Sequence, residues 1–326
     1  MPINISTQLI LDEAERRGIT LEWLTEPSCY SLTFANRTEL FDYRYWSKQG
    51  LVPFELCRNK NRFKKMMQKN GLPSAQGESF KPDDLNSAIE FATKVGWPVV
   101  LKPCSESHGR GVCLSIADKS AFSENWANLS KKKEIIVVEK MYFGEEYRIF
   151  VTDEKVISVL NRVPANVTGD GKHTISELID IKNNDPVRNA CKSMKKLIVD
   201  DEVKNKLQAD GLTLDSVLPD GRYLQIRYAS NVALGGDSVD VTAEIHPSVG
   251  EIAVAAVKAI PGLKYGGMDF MTEDIKADQS TVSHAIIELN KSPEIEINHY
   301  PLHGKPRDCA GAILDLAFPE TAKEGI

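Results

Sequence analysis

The chain has 326 residues, enough for two or three small domains around one cleft. Hydrophobic residues make up 42% and charged residues 26%, and the formal net charge is −6. That balance argues against a nucleic-acid binder, which needs a concentrated basic surface to neutralise phosphates.

No run approaches the roughly 18 apolar residues that span a bilayer. The longest, residues 252–260, is broken by Lys258. Polar and charged residues begin almost at once, so no secretory leader is expected. Six cysteines are scattered without C-x-x-C spacing. They read as reduced thiols of a cytoplasmic protein, with neither a disulfide framework nor a zinc site.

In chain order, a helix is predicted over 6–17, with Ser6 as its cap and Gly18 as its stop. Strands at 21–24 and 30–34 complete a small N-terminal α/β subdomain, residues 1–58. A second unit, 59–140, opens with a helix over 61–70 stopped by Gly71. A strand at 76–80 and a helix over 84–95 follow. The apolar run 98–101 ends in Lys102 and leads into a polar, glycine-bearing loop, 103–111. A strand at 112–116, a helix over 119–129 and a strand at 135–139 close this unit. The third unit, 141–326, opens with an antiparallel hairpin of strands 147–151 and 156–161. Polar helices lie between 174 and 209. A strand at 223–227, a helix over 248–260, strands at 264–271 and 285–290 and a helix over 307–318 finish the chain. Strands mix with helices without strict alternation, which predicts an α+β fold of lobes with antiparallel sheets.

Chemistry concentrates in a few positions. Asp269 sits in an apolar strand, and Glu288 and Asn290 sit in another. Spacing of two puts Glu288 and Asn290 on one strand face. Ionised side chains on apolar strands are costly unless paired or metal-bound. The three offer only oxygen donors, which suits magnesium. Lys102 ends a buried strand just before the glycine-bearing loop, a place where backbone N–H groups can meet phosphates. Lys60 opens a helix upstream. Arg148, Arg162 and Arg227 fall on three strands of the third unit and suit phosphate or carboxylate. Gly169-Asp170-Gly171-Lys172 lacks P-loop spacing. His299 and His303 are separated by Pro301, which argues against a helical zinc pair.

The order of these features resembles the ATP-grasp superfamily. It looks most like the glutathione-synthetase part of bifunctional glutamate–cysteine ligase/glutathione synthetases and the ATP-grasp module of cyanophycin synthetases. The resemblance is carried by Ser6-Thr7, Asn59-Lys60, Val100-Leu101-Lys102-Pro103, Gly109-Arg110-Gly111 and Val138-Glu139-Lys140. It continues through Gly144-Glu145-Glu146-Tyr147-Arg148, Asn161-Arg162-Val163-Pro164, Gly235-Gly236-Asp237, Gly267-Met268-Asp269 and Glu288-Leu289-Asn290. It implies a nucleotide site between two α/β lobes, with ATP and two magnesium ions as cofactors. By that likeness Lys60 and Lys102 hold phosphates, and the loop bearing Ser105, His108, Gly109 and Gly111 closes over them. Glu139 and the backbone of Lys140 and Met141 meet adenine, and Glu146 meets ribose. Arg148, Arg162 and Arg227 serve phosphates or an acceptor carboxylate. Asn231, Gly235 and Gly236 line the acyl-phosphate site, and Asp269, Glu288 and Asn290 bind magnesium. The implied activity is ATP-dependent joining of a carboxylate to an amine, with amino acids or small peptides as substrates and a homodimer as a possible assembly. The alternatives are a carboxylate kinase that passes its acyl-phosphate to a partner, and a non-catalytic nucleotide sensor.

Overall fold

The computed structural model describes residues 3–104, 111–132, 134–228, 230 and 232–322. Helix α1 (Ile5–Arg16) is capped by Asn4, whose side chain accepts the Thr7 N–H at 2.8 Å. The cap therefore lies two residues before the expected Ser6. Ser6 is buried inside the first turn instead. It donates to Glu296 and accepts the N–H groups of Ile295 and Glu296 at 2.8 and 3.1 Å. Strands β1 (Thr20–Thr25), β2 (Cys29–Phe34), β3 (Arg37–Asp42) and β4 (Tyr45–Trp46) form an antiparallel meander in that order. The sequence reading missed β3 because its polarity is inverted. Glu39 is buried and accepts the Trp46 indole N–H at 2.9 Å, while Leu40 faces solvent.

Two helices follow, α2 (Leu51–Arg58) and α3 (Lys60–Lys69). They break at Asn59, whose side chain caps α3 by accepting the N–H groups of Asn61 and Arg62. Next come β5 (Gly77–Phe80), α4 (Leu85–Val95), β6 (Val99–Pro103), β7 (Cys113–Ile116), α5 (Lys119–Ser130) and β8 (Ile136–Lys140). Their strands pair antiparallel in the order β5-β8-β6-β7. Their core contains Val99, Leu101, Phe122, Trp126 and Val138 and stands apart from the other cores.

The expected hairpin is β9 (Glu145–Thr152) and β10 (Val156–Val163). A small unit with its own core follows: β11 (Asn166–Thr168), α6 (Ile175–Asn183), α7 (Pro186–Ala190), α8 (Asp201–Ala209) and β12 (Tyr223–Gln225). The chain then returns through β13 (Asp237–Asp240), α9 (Pro247–Lys258), β14 (Tyr265–Thr272), β15 (His284–Asn290), α10 (Glu296–His299) and α11 (Cys309–Ala317). The large antiparallel sheet has the order β13-β10-β9-β14-β15.

Alternation gives that sheet two different faces. One carries Tyr147, Ile149, Val151, Met268 and Phe270 and packs on Val249, Ala253 and Val257 of α9. The other is apolar at one end, where Phe150 and Tyr265 join a core with the N-terminal meander and α11. At its other end it carries Glu146, Arg148, Arg162, Asp269, Glu288 and Asn290. Phe63 and Met67 of α3 also pack in the α9 core, so α3 is seated on the large sheet. Beyond α3, Pro73 and Ala75 bond both backbone groups of Ile286 on the β15 edge, and the chain passes directly into β5. No described helix is long and apolar enough to cross a membrane.

Phe63 is 1% exposed and anchors α3. Phe63→Ala is expected to cost about 3–5 kcal/mol of stability, read as a lower urea midpoint. A loss below about 1 kcal/mol would show that α3 is not seated this way.

Candidate active site

Asp269 is 5% exposed and lies opposite Arg148 on one neighbouring strand and Glu288 on the other. Arg148 Nη1 stands 2.7 Å from its Oδ1, and Arg162 Nη2 stands 3.0 Å from its Oδ2. Burial pushes the Asp269 carboxyl above its ordinary range, against the pull of Arg148 and Arg162, and the Glu288 charge pushes the same way as burial. Its Oδ1 lies close to Arg148 without a hydrogen bond, so a buried lone pair is left unfilled. The same Arg162 nitrogen also pairs with Glu146, which accepts a hydrogen bond from Ser230.

Glu288 and Asn290 do share a face, and Asn290 Nδ2 donates to Glu288 Oε1 at 2.9 Å. The β14–β15 register shifts between Asp269 and Phe270, a bulge at the point where the two acids meet. Burial raises the Glu288 carboxyl, but the Asn290 hydrogen bond and the charges of Arg148, Lys60 and Lys102 outweigh it and hold the group low. Lys60 in turn is lowered by burial and by Lys102, while Glu288 and Glu139 pull it back up. These mutual effects bring Lys60, Lys102, Glu139 and Glu288 into one electrostatic neighbourhood. The chain thus brings the two expected lysines and the acidic trio to one place.

A third lysine joins them. Lys64 is 4% exposed and pairs with Glu139, whose other oxygen takes Lys102 at 2.6 Å. Burial pushes the Lys64 ammonium down to about 8; Glu139 opposes this, and Lys102 and Lys60 add to it. Glu139 ends below its usual range, because Lys102 and Lys64 outweigh its burial. The signal for Lys64 was present in sequence: it lies one helical turn from Lys60, on the same face of α3.

Residues 59–201 match the family model described as the carbamoyl-phosphate synthase L chain ATP-binding domain. The solved bifunctional glutathione synthetase of Pasteurella multocida is similar over 98% of this chain, with 30% identity and a TM-score of 0.72, the match covering 44% of that chain. The chain has the ATP-grasp fold. The cyanophycin synthetase of Trichormus variabilis is 35% identical over 317 residues, which is 96% of this chain and 35% of that protein. The glutathione biosynthesis bifunctional protein of Enterococcus faecalis is 33% identical over 331 residues, 98% of this chain and 43% of that protein. This ATP-grasp chain therefore spans less than half the length of these relatives.

The remaining expected positions fall out unevenly. Arg227 stands among other partners in this structure: its buried guanidinium is held by Asp200 and Glu202 at 2.6 Å each and by the Ile198 carbonyl at 2.9 Å. These contacts brace α8. The N–H groups of Lys140 and Met141 are already bonded to the carbonyls of Gln76 and Pro98, so a base at that edge has to displace one of them or use other groups. The Glu139 carboxylate, expected against adenine, is instead shared by the two lysines. Gly111 has φ +71 beside Pro103 at the end of β6, and Gly235 and Gly236 form the turn into β13. Ser105, His108, Gly109 and Asn231 lie outside the described residues.

Among the described residues no group of three or more His, Cys, Asp or Glu could hold a metal ion by itself. Two carboxylates and one amide still fit magnesium, which takes a few protein oxygens and completes its shell with water and phosphate. The unfilled Asp269 lone pair agrees with that donor set.

An anion beside Lys64 favours its charged form, so nucleotide binding should raise its pKa from about 8. Binding of ATP at pH 9 should then take up about one proton, and affinity should fall as pH rises from 7 to 9. Calorimetry in buffers of different ionisation heat measures this. Equal proton uptake by Lys64→Met would refute the assignment.

Proposed function

We propose that this chain is an ATP-dependent carboxylate–amine ligase, with amino acids or small peptides as substrates. Residues 59–140 and 141–326 serve as the two lobes, with 1–58 as a flanking subdomain. The observation that carries the reading is the meeting of Lys60 and Lys102 with Glu288, beside a buried Asp269, with Lys64 joined to Lys102 through Glu139.

In this reading a substrate carboxylate oxygen attacks the γ-phosphorus of ATP. The bond to the bridging oxygen breaks, and ADP leaves. An amine then attacks the acyl carbon, loses a proton and expels phosphate. Lys60, Lys64 and Lys102 bind and orient the phosphates, and Arg148 and Arg162 supply fixed positive charge where the phosphoryl group passes. Asp269, Glu288 and Asn290 would hold magnesium, which when bound offsets charge on the phosphate oxygens. Exclusion of water from a closed site would protect the acyl-phosphate from hydrolysis. No covalent protein nucleophile is needed.

A phosphate-release screen of amino acids and dipeptides, singly and in pairs, tests the activity when product mass is measured alongside. Hydroxylamine trapping without an amine separates a ligase from a carboxylate kinase. Asp269→Asn and Glu288→Gln should each lower substrate-dependent ADP release by about 10²–10³-fold with the far-UV circular dichroism unchanged. Full turnover by either variant would remove the metal assignment. A screen with no ATP-dependent product from any pair would remove the ligase reading.

A further inference from the structure

Arg188 lies in no sequence motif, yet its side chain is 3% exposed and holds the glycine turn before β13. Its Nη1 donates to Asp237 Oδ1 at 2.5 Å. Its Nη2 donates to the carbonyls of Lys195, Gly235 and Gly236 at 2.6, 2.8 and 3.3 Å. The other Asp237 oxygen accepts Lys182 Nζ at 2.7 Å and Asn166 Nδ2 at 3.0 Å. The turn has little freedom of its own. Gly235 has φ +94, and a Cβ there would lie 2.7 Å from the Leu197 Cα.

The C=O and N–H of one trans peptide point in opposite directions. With the Gly235 carbonyl drawn to Arg188, the Gly236 N–H is turned away from it. Gly236 is buried, and no acceptor among the described residues takes that N–H. A buried N–H without a partner is costly, and turns that expose such groups bind anions. The turn runs straight into β13, where Ser238 lies opposite Arg162 of the candidate site.

We propose that Arg188 is a positioning residue that, by gripping the Gly235 and Gly236 carbonyls, aims the Gly236 N–H at an oxygen of the transferring phosphoryl group. This rests on the ligase reading for the identity of the anion. Arg188 touches neither substrate nor nucleotide. A lysine in its place keeps one charge but cannot span Asp237 and three carbonyls.

Two variants and two readouts test it. Arg188→Lys should lower kcat about 100-fold, as misplaced groups do, while the KM for ATP stays close to wild type. Lys182→Gln loosens the same buried cluster but leaves every Arg188 contact in place. It should lower Tm and keep the wild-type kcat. In amide-resolved NMR, ADP with inorganic phosphate should shift the Gly236 resonance in wild type and in Lys182→Gln, and leave it unmoved in Arg188→Lys. The idea is overturned if both variants lose kcat in step with their loss of Tm. It is equally overturned if Gly236 ignores phosphate in an enzyme that turns over. A Gly236 response in a protein without ligase turnover would support the anion site and remove the ligase reading instead.

Discussion

A carboxylate inside a sheet stays ionised only if positive charge stands beside it, and at Asp269 that charge comes from two other strands. Burying one ion costs several kcal/mol even after relaxation. Arg148 and Arg162 offset much of that cost, but not all of it, since burial still dominates the Asp269 carboxyl. Glu139 shows the opposite balance. It is just as deeply buried, yet Lys64 and Lys102 more than compensate. The two clusters therefore differ in kind. In the lysine cluster the carboxylate is fully compensated, whereas the acidic cluster keeps a buried oxygen without a hydrogen bond and a residual preference for more positive charge. A cation entering beside Asp269 meets a site already biased toward it. A polyanion near Lys64 has to compete with Glu139.

Strand alternation explains how one sheet can support both a core and this chemistry. Residues of one parity on β9, β10 and β14 bury against α9. Those of the other parity divide along the strand into an apolar half and a charged half. Phe150 and Tyr265 mark the apolar half, and the N-terminal meander and α11 cover it. Ser6 fastens that cover by bonding to Ile295 and Glu296, just past the end of β15. The charged half can then stay open without leaving the whole face unpacked. The N-terminal subdomain contributes no expected site residue, but it covers the part of the face that cannot be left wet.

Most elements were legible because their signals are local. Gly18, Gly71 and Gly96 stop helices, the polar segment Asp153-Glu154-Lys155 joins β9 to β10, and acids interrupt the apolar strands β14 and β15. The failures also have physical causes. β3 was missed because Glu39 points inward toward Trp46, a partner that only the fold supplies. α2 was missed because Pro53 lies in its first turn, where a helix tolerates it but a sequence reading takes it as a breaker. The ion pairs of Arg227 were not legible either, because an arginine in a strand-like run looks unpaired. Its acids, Asp200 and Glu202, lie on and before a separate helix, and no spacing rule links them to it. Lys64 was within reach of the period-four rule, yet a run of basic residues hides which of them turns inward.

The site's charges come from parts of the chain that fold on different cores. Lys102 and Glu139 belong to the β5-β8-β6-β7 sheet. Asp269, Glu288 and Asn290 belong to the large sheet. Helix α3 belongs by packing to the large sheet through Phe63 and Met67, but its Lys64 reaches across to Glu139 on the other. Neither sheet carries cations and anions in the needed pattern alone, because the large sheet lacks Lys102 and the smaller one lacks every acid of the trio. The covalent passage from Pro73 through Ala75 into β5 is short and is bonded to β15 at one end and β8 at the other. That passage restricts how the two sheets can be set against each other. The charge pattern is thus a property of the joined lobes, and Lys64 with Glu139 is an ion pair that spans them.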